Sequence, residues 1–238
     1  MKNNLQIKVL ALSVTGTSVQ WLEPVKDSLD LAVSPGGIFL DWTDFTISWR
    51  LRSLEILAEI NQGNRSWTTM NEVNLLTLKE LIPGTPLDEW DDLRARNLNQ
   101  AWQQLRPWPD TVPALNQFKK RFRIYAVSNS DYSMLTTITK NLQLPWDHLI
   151  SAESVQKYKP EKLFYEFVVS EVGVDPSQIL MVSSDLSDLR GASSVGIKTA
   201  YIKRSDESDN PIAGNPSDVE HDFEAEDLIQ LADQLNKL

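Results

Sequence analysis

The chain of 238 residues has no cysteine. That removes disulfides, thiolate nucleophiles and thiolate metal sites together, and it fits an intracellular, cytoplasmic protein. Histidine is nearly absent too. His148 and His221 are the only two, and neither has a partner at the spacing of a metal site. Both read as surface or strand-end residues, so a histidine-based triad, a zinc centre or any other metal or cofactor is not expected. No apolar run approaches the roughly 20 residues needed to span a bilayer, so no membrane partner is expected. The short apolar stretch within MKNNLQIKVLAL reads as a first strand rather than a signal sequence. Positive charge is also in deficit: 23 Lys and Arg against 33 Asp and Glu give a formal charge of −10. Such a surface repels phosphate backbones, and no basic run with interleaved aromatics offsets it, which argues against nucleic acid as a partner.

What is present is an ordinary globular composition, 41% hydrophobic and 24% charged. Four segments look like buried parallel strands: IKVLALSV (7–14), RIYAVS (123–128), ILMVS (179–183) and KTAYI (198–202). Each ends in a small polar or turn-forming stretch, and the second and third run into helical sequence. This alternation predicts an α/β fold, a doubly wound Rossmann-like parallel sheet with its site at the carboxyl ends of the strands. Between the first strand and Trp108 the pattern changes. Ile47, Leu51, Leu54, Leu57 and Ile60 recur at helical spacing, as do Leu98, Ala101, Trp102 and Leu105, and TTMNEVNLLTLKELI adds another helix. Residues 1–22 and 108–238 are therefore expected to form the core, and residues 23–107 an inserted α-helical cap. The segment 203–220, rich in Ser, Asp, Asn and Pro, reads as a surface loop. DFEAEDLIQLADQL then supplies a short strand and an amphipathic helix.

The first strand ends in LALSVTGTS, an apolar run entering a Gly-centred turn that carries Ser13, Thr15 and Thr17. Ser13 reads either as half of a Ser–Lys dyad or as a small polar residue filling space. Ser128 and Asn129 end a second strand just before a helix, where backbone N–H groups bind an anion or simply shape a turn. Six of the eight tryptophans fall in or beside the cap region: Trp42, Trp49, Trp67, Trp90, Trp102 and Trp108. They read as packing residues, some of them lining an apolar pocket.

The ordered motifs SWRLRSLE, LRPWPDTVPAL, YAVSNSDYSML, LPWDHLISAESVQKYKP, FYEFVVSEVGV and MVSSDLSDLRGASSVGIKTAYI span essentially the whole chain. In this order and spacing the sequence resembles the haloacid dehalogenase superfamily, and more narrowly its cap-bearing 2-haloacid dehalogenase branch. In that family a strand-end aspartate displaces halide from carbon, and water then hydrolyses the aspartyl ester. The resemblance puts Ser13 at the nucleophile and assigns substrate contacts to Thr17, Ser128, Asn129 and Tyr165. It matches Lys159 to the lysine beside the nucleophile, Arg50 to the cap arginine at the leaving group, and Ser183, Ser184 and Asp188 to the last motif. It also implies a homodimer.

The sequence departs from the family at Ser13 in place of aspartate, at Asp185 in place of asparagine, and at Thr15 in place of an aromatic residue. A carboxylate of reference pKa ~3.9 is ionised at neutral pH, whereas a serine hydroxyl needs a base. Serine attack on saturated carbon would also leave an ether that water does not readily cleave. The missing carboxylate is a magnesium ligand in phosphatase relatives as well. Asp185 reads as a general acid or base tuned by Lys159, or as a helix N-cap. Asp188 reads as a carboxylate holding Lys159 or backbone amides. Arg50 points to a cleft, or pairs on the surface with Glu55 or Asp44. The expectation is a repurposed enzyme that binds a small-molecule organic acid. Lys159, Arg50 and Asp185 would catalyse a cofactor-free proton transfer, elimination, isomerisation or cyclisation, making it an isomerase, lyase or cyclase rather than a dehalogenase or phosphatase. The alternatives are an inactive binding or regulatory protein, and a 2-haloacid dehalogenase with a substituted nucleophile.

Overall fold

The computed structural model describes residues 6–33, 41–204 and 219–237. They belong to two compact units, Met1–Val19 with Pro107–Leu238, and Gln20–Arg106. The chain opens with β1 (Val9–Ser13), whose five residues are all buried, and reaches the short β2 (Val19–Gln20) through a turn in which Gly16 adopts a positive φ of 85°. Helices α1 (Leu22–Val33), α2 (Thr43–Asn61), α3 (Met70–Leu81) and α4 (Asp92–Asn99) follow, and β3 (Arg106–Pro107) pairs with β2 where the chain re-enters the first unit. The remainder alternates: α5 (Thr111–Phe118), β4 (Arg123–Ser128), α6 (Tyr132–Asn141), β5 (His148–Ser151), α7 (Lys162–Val172), β6 (Ile179–Ser183), α8 (Leu186–Ser193), β7 (Lys198–Ile202), β8 (Phe223–Ala225) and α9 (Leu228–Leu235).

The main sheet has the order β5-β4-β1-β6-β7-β8 with every ladder parallel. Strands of such a sheet are covered on both faces, which is why VLALS and ILMVS are continuous apolar runs rather than alternating ones. The predicted α/β doubly wound core is therefore present. Successive strands are added on one side of β1 as far as β5 and then on the other from β6, so the order reverses beside β1. The carboxyl end of β1 is the topological switch point, where such sheets place their sites. The strand β5 was not foreseen. It is a four-residue edge element whose His148 is exposed and Leu149 only half-buried, too short and too polar for an apolar-run signal. Most of the predicted 203–220 loop lies outside the described residues.

In the second unit, α3 starts with a reciprocal capping box: Thr69 Oγ1 accepts from the Glu72 backbone N, and Glu72 Oε2 accepts from that of Thr69. The buried stripe of α2 is Thr46, Trp49, Ser53, Ile56, Leu57 and Ile60, which keeps Leu57 and Ile60 of the expected Ile47–Leu51–Leu54–Leu57–Ile60 periodicity and departs from it in the first half of the helix. Two of its polar members, Ser53 and the Trp49 indole, are bonded internally. Ser53 Oγ donates to Trp49 O (2.9 Å) and lies 3.0 Å from Thr77 Oγ1, and Trp49 Nε1 donates to Asn74 O (2.7 Å). A cavity of about 750 Å³ in this unit is lined by Leu31, Trp90, Arg94, Leu98 and Ala101 among others.

The turn after β1 is held through its carbonyls. Trp108 Nε1 donates to Gly16 O (3.2 Å), Arg204 Nε to Thr17 O (2.9 Å) and Thr111 Oγ1 to Ser18 O (2.7 Å). Arg204 also makes a bidentate pair with Asp110 at 3.0 and 2.9 Å and lies 4.9 Å over the Trp108 ring, while Asp110 Oδ2 accepts from Leu228 N. The two charged side chains are only 6% and 11% exposed. Removing one partner of so buried a pair strands the other charge. Arg204→Met or Asp110→Asn is expected to lower stability by about 3 kcal/mol in urea unfolding, with Arg204→Met/Asp110→Leu recovering part of the loss. Single variants as stable as the parent would show that the pair does not hold the turn.

Candidate active site

Ser13, Ser128 and Ser183 end the three adjacent strands β1, β4 and β6 on one edge of the sheet. Ser13 pairs in register with Val127, and Leu12 with Val182, so the three serines lie side by side within a step of register. All three are buried. Lys159 reaches this edge from the segment before α7. Its backbone N donates to Asn129 Oδ1 (2.8 Å), and its ammonium donates to Ser13 Oγ (2.8 Å) and Asp188 Oδ2 (2.6 Å). Tyr165, from α7, donates to the other Asp188 oxygen at 2.6 Å.

Asp188 is 1% exposed at the side chain and Lys159 11%. Burying a carboxylate so deep is costly unless its oxygens are engaged, and here both are held by strong donors. Burial, then the adjacent Asp188 charge and hydrogen bond, push the Tyr165 hydroxyl well above the usual tyrosine range, so Tyr165 stays a donor. In this geometry Asp188 holds the Lys159 ammonium. The Ser–Lys dyad does not fit it, because a lysine that donates to both Ser13 and Asp188 is not a free base for the serine.

Thr17 Oγ1 accepts from Ser184 N (2.9 Å) and lies 3.0 Å from Ser184 Oγ, tying the turn after β1 to the end of β6. Ser128 Oγ accepts from Ser130 N and Ser183 Oγ from Asp185 N, each shaping its own turn. Asp185 is the N-cap of α8: its Oδ1 accepts from Ser187 N (2.8 Å) and Ser187 Oγ (2.7 Å). The residue is exposed, and its charge reaches Tyr165. Arg50 belongs to the second unit, half-buried on α2 with its guanidinium 5.9 Å from the Trp102 ring centroid. Glu55 pairs with Arg52. Among the described residues no group of three His, Asp or Glu side chains is arranged to hold a metal ion.

Two residues that sequence reasoning passed over shape the site. Gly191 on α8 is one: a Cβ there would lie 2.2 Å from Tyr165 Cε2 and 2.8 Å from Pro160 O, so only glycine lets Tyr165 close on Asp188. Arg204 is the other, because it holds the Thr17 carbonyl. The signal for Gly191 was its place one turn after Asp188 in SDLRG; Arg204 has no local signal, since its partner Asp110 is distant in sequence.

The fold is a Rossmann-like parallel α/β sheet with an edge of polar residues at the carboxyl ends of its strands. The model for haloacid dehalogenase-like hydrolases matches residues 12–196, and the chain belongs to that family. Within it the chain is similar to (S)-2-haloacid dehalogenase 4A of Burkholderia cepacia, 30% identical over 178 residues, 72% of this chain and 71% of that one. It is 34% identical to (S)-2-haloacid dehalogenase 1 of Pseudomonas sp. strain CBS-3 over 159 residues, 66% of this chain and 69% of that one. Among solved structures, the defluorinating L-2-haloacid dehalogenase Rha0230 superimposes with a TM-score of 0.88 at 26% identity over 99% of each chain. These relatives overturn the expectation of an isomerase, lyase or cyclase rather than a dehalogenase. That expectation gave the chemistry of one position, Ser13, more weight than the rest of the motif set.

Gly191→Ala is expected to cost about 1–3 kcal/mol in urea unfolding through overpacking. It should also bring tyrosinate absorbance in at lower pH, because a Tyr165 displaced from Asp188 loses the groups that raise it. A Gly191→Ala protein with unchanged stability and tyrosine titration would contradict the close contact.

Proposed function

We propose that the chain is a 2-haloacid dehalogenase with a substituted nucleophile, taking a short 2-halogenated carboxylic acid to its 2-hydroxy acid and halide. One observation carries this reading: Lys159 joins Ser13, Asn129 and Asp188. Those are the positions to which the resemblance assigns the nucleophile, a substrate contact and the last motif. The names and similarity of the relatives support the same substrate class.

In this reading the ester route is closed, because alkylation of Ser13 would end as an ether. Water then attacks C2 directly. The new O–C2 bond forms as the C2–halogen bond breaks, the bonding pair leaves with the halide, and the proton of the attacking water passes to a base. Asp185 supplies that base through Oδ2, its Oδ1 being held by Ser187. Ser128 and Asn129 bind the substrate carboxylate, with Thr17, Tyr165, Ser183 and Ser184 lining the site. Arg50 is assigned to the departing halide by the resemblance alone, and the Gln20–Arg106 unit to the role of cap.

Halide release from (S)-2-chloropropionate tests the reading. The parent chain should release halide slowly, and Asp185→Asn should abolish that release. Ser13→Asp, which restores a tethered carboxylate, should raise the rate at least about a hundredfold. In a single turnover in ¹⁸O water, the parent should place the label in its first product. The Ser13→Asp protein should place unlabelled enzyme oxygen there. A folded Ser13→Asp protein that releases no halide would overturn the dehalogenase reading, and a silent parent would overturn direct attack by water.

A further inference from the structure

The cavity of about 750 Å³ within the Gln20–Arg106 unit shares no residue with the site at the strand ends. Its walls come from α1, from the segment before α4, from α4 itself and from the turn that follows it. Leu31, Trp90, Leu98 and Ala101 supply an apolar surface, of which Leu31 is 76% exposed. An exposed apolar side chain beside a cavity of ligand size marks a binding surface. The polar lining is of both signs: Glu89 and Arg94 carry opposite charges, and Asn97 and Gln104 carry side-chain amides. Among the described residues none of these four side chains has a hydrogen bond or an ion pair. The neighbouring charges are used, since Asp91 caps α4 and Asp92 pairs with Lys79 and Arg96.

We propose that this cavity binds a short apolar peptide with both ends free, its carboxylate on Arg94 and its ammonium on Glu89. Charge complementarity decides the class of ligand. An apolar acid would engage Arg94 but carry its carboxylate into the field of Glu89, and an apolar amine would meet the reverse conflict. A molecule bearing both charges answers both side chains. Its peptide groups also offer the acceptors and donors that the Asn97 and Gln104 amides lack. Its apolar side chains cover Leu31, Trp90, Leu98 and Ala101, and that burial supplies most of the affinity. The volume lies within the range of roughly 300–1,000 Å³ that ligand sites occupy, room for about two or three residues. Glu89 and Arg94 are both exposed, so each charged contact changes the affinity only a few-fold. The apolar body therefore sets the strength of binding, and the two charges set the direction in which the peptide lies.

Isothermal titration of the full chain with trileucine tests the site. The parent should show saturable binding at millimolar concentrations or below. Ala32→Trp, which builds a ring into the cavity from an exposed position on α1, should abolish it. Arg94→Gln and Glu89→Gln should each weaken it about threefold. Acetylating the amino end of the peptide should give the same loss as Glu89→Gln, and the two together no more than either alone. Amidating the carboxyl end should match Arg94→Gln in the same way. Thermal melting of each variant establishes that it is folded. Absence of saturable binding by the parent would overturn the proposal, as would a peptide blocked at both ends that binds as tightly as the free one. Binding that survives Ala32→Trp but is lost on Ser128→Ala would place the peptide at the strand ends and overturn it too.

Discussion

The pairing of Lys159 with Asp188 is the constraint on which the rest of the site depends. A carboxylate taken almost wholly out of water has to be compensated on both oxygens, and the protein meets that demand from two different elements, the Lys159 segment and α7. Meeting it fixes other positions in turn. Tyr165 can reach Asp188 only because residue 191 has no side chain, and Lys159 can reach it only while its backbone is anchored on Asn129. Ser13 is then presented with an ammonium at hydrogen-bond distance whether or not it has a use for one. The charge arrangement at the head of β1 is thus set by α7 and α8 as much as by β1 itself.

Much of the core was legible in the sequence, for a physical reason. Strands of a parallel sheet covered on both faces are continuous apolar runs, and the runs at 123–128, 179–183 and 198–202 match β4, β6 and β7 residue for residue. The edge strand β5 lacks that covering and so lacks the signal. The helical faces of the second unit were read less well. Hydropathy cannot see that Ser53 and Thr77 bond to each other in the interior, so it placed Leu57 and Ile60 on the buried face of α2 but missed Trp49 and Ser53. In the site, Lys159, Asp188, Tyr165 and Asn129 were all named in advance, and the structure links them. Gly191 escaped because its importance is a missing atom rather than a reactive one.

The functional class was a different kind of inference. Replacing a nucleophile is decisive for a reaction step, and reasoning from Ser13 alone leads away from dehalogenation. The family match across residues 12–196 and the superposition over the whole chain weigh the other way, because they integrate many positions. A single chemical veto constrains the mechanism more directly than it constrains the class. What Ser13 excludes is an aspartyl ester; the electrostatic frame that Lys159, Asp188 and Tyr165 provide around it is left intact.

The Asp110 carboxylate has a consequence for the order in which the molecule is completed. On a chain emerging from the ribosome, Asp110 and the turn it helps to fix appear early. Their partners Arg204 and Leu228 come 94 and 118 residues later. Until those arrive, the carbonyls after β1 lack one of their donors and Asp110 has neither its counter-ion nor its amide. Closing so long a loop is slow and delays the contact that rewards it. The turn that follows the first strand to be synthesised therefore gains its full set of partners only when the last part of the chain is in place.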